Sequence, residues 1–145
     1  MNSDFILSVS SEMVFLELPH IERVKKIHSL GFAVEIWDWT KKDIPALRAT
    51  GAHFTSMTGY ITGRLADKAG AAELLNTAEQ SIPIAKQLGN PLLNLHGTGL
   101  DNKGLPVTPC EEVTKVMWDQ AEITLNQIAD LGQKHGVTFQ LENLN

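Results

Sequence analysis

The chain has 145 residues, 43% of them hydrophobic and 20% charged, with a formal net charge of −5. That length suffices for one domain over residues 1–145 with a real core, burying about 68–70% of its unfolded surface at this size. The acidic balance, and the absence of any basic run longer than Lys41-Lys42, argue against a nucleic-acid partner or an anionic membrane surface.

The N-terminal stretch MNSDFILSVSSEMVF has neither a basic leader nor a long apolar run, so a cytoplasmic location is the expectation. Phe5 to Ser10 alternates apolar with small polar residues and predicts a strand. Pro19 then opens a helix with Ile21, Val24, Ile27 and Leu30 in step, and Gly31 stops it. Residues 33–37 predict a second strand, followed by a short helix capped by Asp43 and ending near Gly51. His53 to Thr58 is a third strand, and a Gly-bearing loop from Gly59 to Gly70 leads to a helix over 71–88. Pro83 is expected to kink that helix, because proline cannot donate the backbone bond. Leu92 to His96 is a fourth strand, followed by a loop from Gly97 to Pro109. The next helix, carrying Val113, Met117, Ala121, Leu125 and Ile128, ends near Gly136, and a fifth strand runs from Val137. The lone Cys110 falls where this last helix is expected to start. Its neighbours Glu111 and Glu112 would raise a thiol pKa, which favours a structural or neutral role over a nucleophilic one.

Four βα units and a fifth strand imply a parallel sheet with right-handed crossovers. Strand parity then separates a doubly wound sheet from part of a (β/α)8 barrel. Leu7 and Val9, Val34 and Ile36, Leu93 and Leu95, and Phe139 and Leu141 would share one face. Ser8 and Ser10, Glu35 and Trp37, Asn94 and His96, and Gln140 and Glu142 would share the other. A doubly wound sheet is covered on both faces and should be apolar on both, whereas a consistently polar face suits a barrel lumen. The expected fold is therefore α/β, the first half of a TIM barrel.

Four stretches carry a resemblance: Val34-Glu35-Ile36-Trp37-Asp38-Trp39, Ser56-Met57-Thr58-Gly59-Tyr60, Asn94-Leu95-His96-Gly97-Thr98-Gly99 and Leu141-Glu142-Asn143-Leu144-Asn145. In this order and spacing they resemble the hydroxypyruvate isomerase-like branch of the xylose isomerase-like barrels, over the N-terminal half of that fold. The last stretch is similar to that family's Leu-Ile-Glu-Pro-hydrophobic-Asn pattern, with Asn143 where proline often stands. The resemblance implies an isomerase or epimerase acting on a sugar or small hydroxycarbonyl compound through an enediolate, with a divalent metal, Mg²⁺ or Mn²⁺, at the top of the barrel. It implies that Glu142 binds the metal and moves the proton, and that the other ligands come from strands six to eight.

The residue chemistry agrees with that implication. Removing a proton beside a carbonyl develops negative charge on oxygen, which a Lewis acid offsets, and carboxylates suit hard cations. One Glu holds such a cation weakly at best. His96 is placed to assist proton transfer or contact a hydroxyl, and equally to serve as a hydrogen-bonded structural residue. Asn94 joins it as a substrate contact. Glu35, deeper on its strand, reads as a buried structural acid. Trp37 and Trp39 suit stacking on a sugar face or plain packing. The 59–70 loop is expected to cover the pocket, with Tyr60 and with Arg64 aimed at a substrate carboxylate or phosphate; Arg64 equally suits a solvated surface. Turnover would need a continuation of the chain, a homo-oligomer or a complementing half-barrel. The rival reading is a non-catalytic half-barrel or interaction module. A metal-dependent endonuclease fails on charge.

Overall fold

A computed structural model of the chain describes residues 5–99, 106–108 and 110–142. Five parallel strands, β1 (Ser8–Ser10), β2 (Ala33–Ile36), β3 (Phe54–Thr58), β4 (Leu92–Leu95) and β5 (Phe139–Leu141), pair in chain order. The helices α1 (His20–Ser29), α2 (Ile44–Ala49), α3 (Lys68–Gln87) and α4 (Lys115–His135) fill the crossovers, so the expected four βα units and fifth strand are present.

Local chemistry sets the boundaries. Asp43 caps α2 by accepting from the Ala46 amide at 3.0 Å, and Thr114 caps α4 by accepting from Met117. Helix α4 ends on Gly136 in the left-handed conformation, φ +66°. Helix α3 starts earlier than the periodicity predicts, because Asp67 takes the Gly70 amide at 2.8 Å and so caps the helix. It also runs on through Pro83 to Gln87. The strands are shorter than predicted; Phe5, Ile6 and Leu7 precede β1 and are largely exposed. Cys110 lies exposed ahead of α4 rather than at its start, its thiol donating to the Glu112 carbonyl.

The parity argument holds in the registers. Val9 pairs with Val34, Val34 with Phe54, Ile36 with Met57, Leu93 with Phe139 and Leu95 with Leu141. This apolar face packs under the helices: Val34, Ile36, Met57, Leu93 and Leu95 are all at most 1% exposed, with Val24 and Ile27 of α1 and Leu47 of α2 equally buried. Each such side chain contributes about 1.5–3 kcal/mol on burial. On the other face, Ser10 pairs with Glu35, Glu35 with Ser56, Thr58 with Asn94 and Asn94 with Gln140. A register shift between β2 and β3 gives β3 an extra residue opposite Val34 and Glu35. Thr55 in that bulge meets Ser8 across β2, hydroxyl to hydroxyl at 2.6 Å, closing the lower end of the polar face.

Beyond β5 the sheet has no neighbour among the described residues. A groove of about 300 Å³ runs there between α4 and β5, lined by Leu95, Leu125, Ile128, Phe139 and Leu141 among others, with Leu141 54% exposed. No helix of the described residues is long and apolar enough to cross a membrane.

Candidate active site

The upper end of the polar face opens into a cavity of about 560 Å³, within the usual range for small-molecule sites. Its walls come from the C-terminal ends of four strands and the turns after them: Glu35, Trp37 and Asp38 on β2, Ser56, Thr58 and Tyr60 on β3, Asn94 and His96 on β4, and Glu142 after β5. Strand ends gather there because all five strands are parallel, so every lumen-facing side chain near a carboxyl end points to the same rim.

Glu142 continues the β5 ladder, its amide donating to the Leu95 carbonyl at 2.8 Å, which fixes its side chain over β4. There the Asn94 amide nitrogen donates to Oε2 of Glu142. His96 Nε2 lies 3.2 Å from the same oxygen, a distance at which the Nε2–H tautomer donates to it. Both contacts fall on Oε2, and among the described residues none is made to Oε1. The carboxylate is thus held on one oxygen and half exposed to the cavity, with 49% of its side chain accessible against 19% for His96. Asn94, His96 and Glu142 form one cluster, as parity predicts.

Tyr60 supports that cluster from the side. Its ring stands edge-on to His96, with centroids 6.2 Å apart and planes at 88°, and its hydroxyl donates to the Thr98 carbonyl at 2.6 Å. Burial outweighs the hydrogen bond from the His96 backbone and pushes the phenol pKa up to about 12. Tyr60 is the chain's one tyrosine, so its ultraviolet titration is a clean readout. We expect a midpoint near pH 12 in the folded protein, against about 10 once unfolded. Because the folded value is the higher, the linked stability is fully present below about pH 10 and declines as pH rises toward 12. A single midpoint near 10 with the fold intact would remove the buried Thr98 contact.

Trp37 stands at the rim, 45% exposed, its indole N–H donating to Glu35 Oε1 at 2.8 Å. Glu35 is half-buried rather than buried as expected, and it lines the cavity as well as holding the indole. Two other expected contacts lie elsewhere. Trp39 opens the single helical turn Trp39–Lys41 and packs against the main core, outside the cavity lining. Arg64 pairs with Asp67, Nε to Oδ2 at 2.6 Å and Nη2 to Oδ1 at 3.1 Å, so its guanidinium completes the α3 cap rather than reaching the cavity.

The 59–70 loop gives Tyr60 and Ile61 to the cavity wall, and the rest of it is seated on the helices. Ser81 donates to the Gly59 carbonyl, Thr77 accepts from the Ile61 and Thr62 amides, and Thr124 donates to the Leu65 carbonyl at 3.0 Å. These three hydroxyls are buried on α3 and α4, and they tie the loop down backbone group by backbone group. Gly63 allows the close approach: at φ +115°, an added Cβ would lie 2.3 Å from the Leu74 nitrogen. Sequence reasoning missed Asp38, Ser56 and Thr58 as wall residues. Ser56 and Thr58 were legible, since they share the lumen parity of β3 once the bulge is counted.

The sequence alone finds no relatives: no family model and no curated protein matches it. The structure does match solved proteins. The 3-keto-D-glucoside 4-epimerase YcjR of E. coli superposes with a TM-score of 0.70 at 18% identity, over 97% of this chain and 56% of that one. An L-ribulose 3-epimerase gives 0.67 at 21% identity, over 96% and 50%. A xylose isomerase domain protein of Planctomyces limnophilus gives 0.58 at 16%, over 94% and 52%. The fold is that of about half a TIM barrel, shared with the matching half of these proteins. The chain spans about half the length of these solved proteins.

The described residues alone do not assemble a metal centre. Among those described, no three His, Cys, Asp or Glu side chains come together as a metal site. The Glu142 cluster offers one carboxylate, where Mg²⁺ takes near-octahedral oxygen coordination.

Proposed function

We propose that this chain supplies half of the active site of a sugar isomerase or epimerase, with Glu142 as the group that moves a proton beside a substrate carbonyl. The observation that carries the reading is the Asn94–His96–Glu142 cluster at the strand-end rim, open to a cavity of sugar-binding size. Glu142 takes the proton on its uncommitted oxygen, while Asn94 and His96 hold the other oxygen and so fix the direction of attack. Returning the proton to the neighbouring carbon gives an isomerase with this one base. Returning it to the opposite face gives an epimerase and needs a second acid on the other side of the substrate. A divalent cation such as Mg²⁺ or Mn²⁺ would draw Glu142 from this chain and its remaining ligands from further βα units.

Turnover requires those units, from a continuation of the chain or a second polypeptide. The apolar groove beside β5 and the unpaired β5 edge support this, since they are the surface on which a sixth strand and its helix would pack. For the substrate, a neutral sugar fits better than hydroxypyruvate. Glu35, Asp38 and Glu142 line the cavity and no Lys or Arg does, so a substrate carboxylate would meet like charge, of which only Asp38 has a lysine partner, Lys41. Asp38 is held well below the usual carboxylate range: burial works against this, but bonds from Thr40 and the nearby Lys41 prevail. Trp37 offers the apolar face that sugar C–H groups use.

The test is deuterium wash-in. In D₂O with Mn²⁺, a barrel completed from this chain should exchange the proton beside the carbonyl of a ketohexose at least tenfold faster than that of hydroxypyruvate. No exchange with any ketose, aldose or hydroxypyruvate would end the proposal, and faster exchange with hydroxypyruvate would reverse the substrate assignment.

A further inference from the structure

Two buried polar atoms facing the cavity have no hydrogen-bond partner. Ser56 is 8% exposed, its side chain faces the lumen from β3, and its hydroxyl oxygen is buried with no partner among the described residues. Higher on β4, the Asn94 amide nitrogen donates to Glu142 while Oδ1 is buried and unpartnered. Turning the amide over cannot relieve this, because a carboxylate only accepts and so keeps the nitrogen toward itself. Buried polar groups are almost always paired, and two left over in one cavity mark where a partner enters. A carboxylate stands beside them. Glu35 lies level with Ser56 across the β2–β3 ladder; the Trp37 indole occupies its Oε1, and among the described residues nothing bonds its Oε2.

These atoms define the chemistry of what they bind. Asn94 Oδ1 and Glu35 Oε2 can only accept, so each needs a donor on the ligand, whereas the Ser56 hydroxyl can donate or accept. Hydroxyl groups satisfy all three; an ionised carboxylate or phosphate satisfies Ser56 alone. The strand registers set the spacing. Ser56 lies opposite Leu92, two residues below Asn94, which is about 6.6 Å along strands that rise ~3.3 Å per residue. Asn94 in turn holds Glu142 from below. A ligand whose reacting carbon lies at Glu142 must extend at least that far down to touch Ser56. An extended chain of about five C–C bonds, each ~1.5 Å, covers the distance, and one the length of glycerol does not.

We propose that Ser56, with Glu35 and Asn94 Oδ1, forms a hydroxyl subsite on the cavity floor, and that Ser56 makes the cavity select open-chain polyhydroxylated ligands of about six carbons. Its consequence for substrate choice rests on the cavity being a sugar isomerase or epimerase site. The binding of hydroxyl groups itself does not.

Polyols, which have no carbonyl, test the subsite apart from turnover. In ¹⁵N NMR titrations of the full chain, D-sorbitol should bind roughly tenfold tighter than glycerol. Ser56→Ala should weaken sorbitol roughly fivefold or more and leave glycerol within about twofold. Its melt should be no lower than that of the parent, because the hydroxyl it removes has no partner to lose. Equal sorbitol affinity in Ser56→Ala and the parent overturns the proposal and leaves the hydroxyl to water. So does equal affinity of the parent for sorbitol and glycerol. A lowered melt with both polyols weakened alike also overturns it, since that is the signature of a structural hydroxyl. Deuterium wash-in keeps the subsite and the reaction apart. Exchange of a ketohexose alongside sorbitol binding that ignores Ser56→Ala removes the subsite and leaves the proton transfer. Sorbitol binding that depends on Ser56, without exchange of any ketose, leaves the subsite and removes the proton transfer.

Discussion

Glu142→Gln is expected to lower kcat of a completed barrel by about 10²–10⁴-fold, the usual worth of a positioned acid or base, with KM within a few-fold of the parent value. Gln keeps the carbonyl oxygen that Asn94 and His96 engage, so the cluster persists while the basic oxygen is lost. The split between kcat and KM is the decisive measurement, together with deuterium wash-in, which should fall in parallel. A variant within tenfold of the parent would transfer the proton-moving role to another residue. The melt should be unaffected, because Glu142 is half exposed and buries no charge.

The largest effect on stability is expected from Gly63→Ala. The loop after β3 passes so close to α3 that the new methyl would fall 2.3 Å from the Leu74 nitrogen and 2.5 Å from its Cα, both backbone atoms of a helix interior. Residue 63 also has φ +115°, which alanine rarely adopts. Neither side can yield without breaking the Thr77 and Ser81 bonds that seat the loop. We expect a loss of about 3 kcal/mol or more, which for a chain of this size lowers Tm by roughly 6–12 °C. Gly97→Ala is the control, since a Cβ there meets nothing within 4 Å. Its melt should stay within about 0.5 kcal/mol of the parent. Equal melts for the two variants would show that the loop is not seated as described.

The cluster of Asn94, His96 and Glu142 was legible because a strand alternates every residue: once β4 and β5 are recognised, their polar side chains must share a face. The same rule gave the barrel over the doubly wound sheet. It failed where backbone regularity ends. Lys41 and Lys42 are adjacent in sequence, yet the single helical turn that holds Lys41 sends it to solvent and turns Lys42 onto Glu12. Glu12 sits in a turn with no period to place it, and its partners His20 and Lys42 come from two other stretches of chain. Arg64 shows the opposite case. An aspartate three residues on, at a helix start, is a local signal that claims the guanidinium, and it outweighs the long-range expectation of a substrate anion. Thr77, Ser81 and Thr124 occupy positions that apolar periodicity assigns to the core, and the polar work they do on the neighbouring loop has no trace in that pattern.

The strand order has a consequence in time. Every parallel pair joins strands that are neighbours in sequence, so each new strand docks on an edge its predecessor has just made. A ribosome-bound chain can lay down such a sheet from its N-terminus as it emerges. The Trp37–Glu35 bond and the Tyr60 support both belong to the first four strands and the turns after them, and each can form before β5 is synthesised. Glu142 arrives last among them. The carboxylate proposed to move the proton is therefore delivered to a scaffold whose other walls already stand.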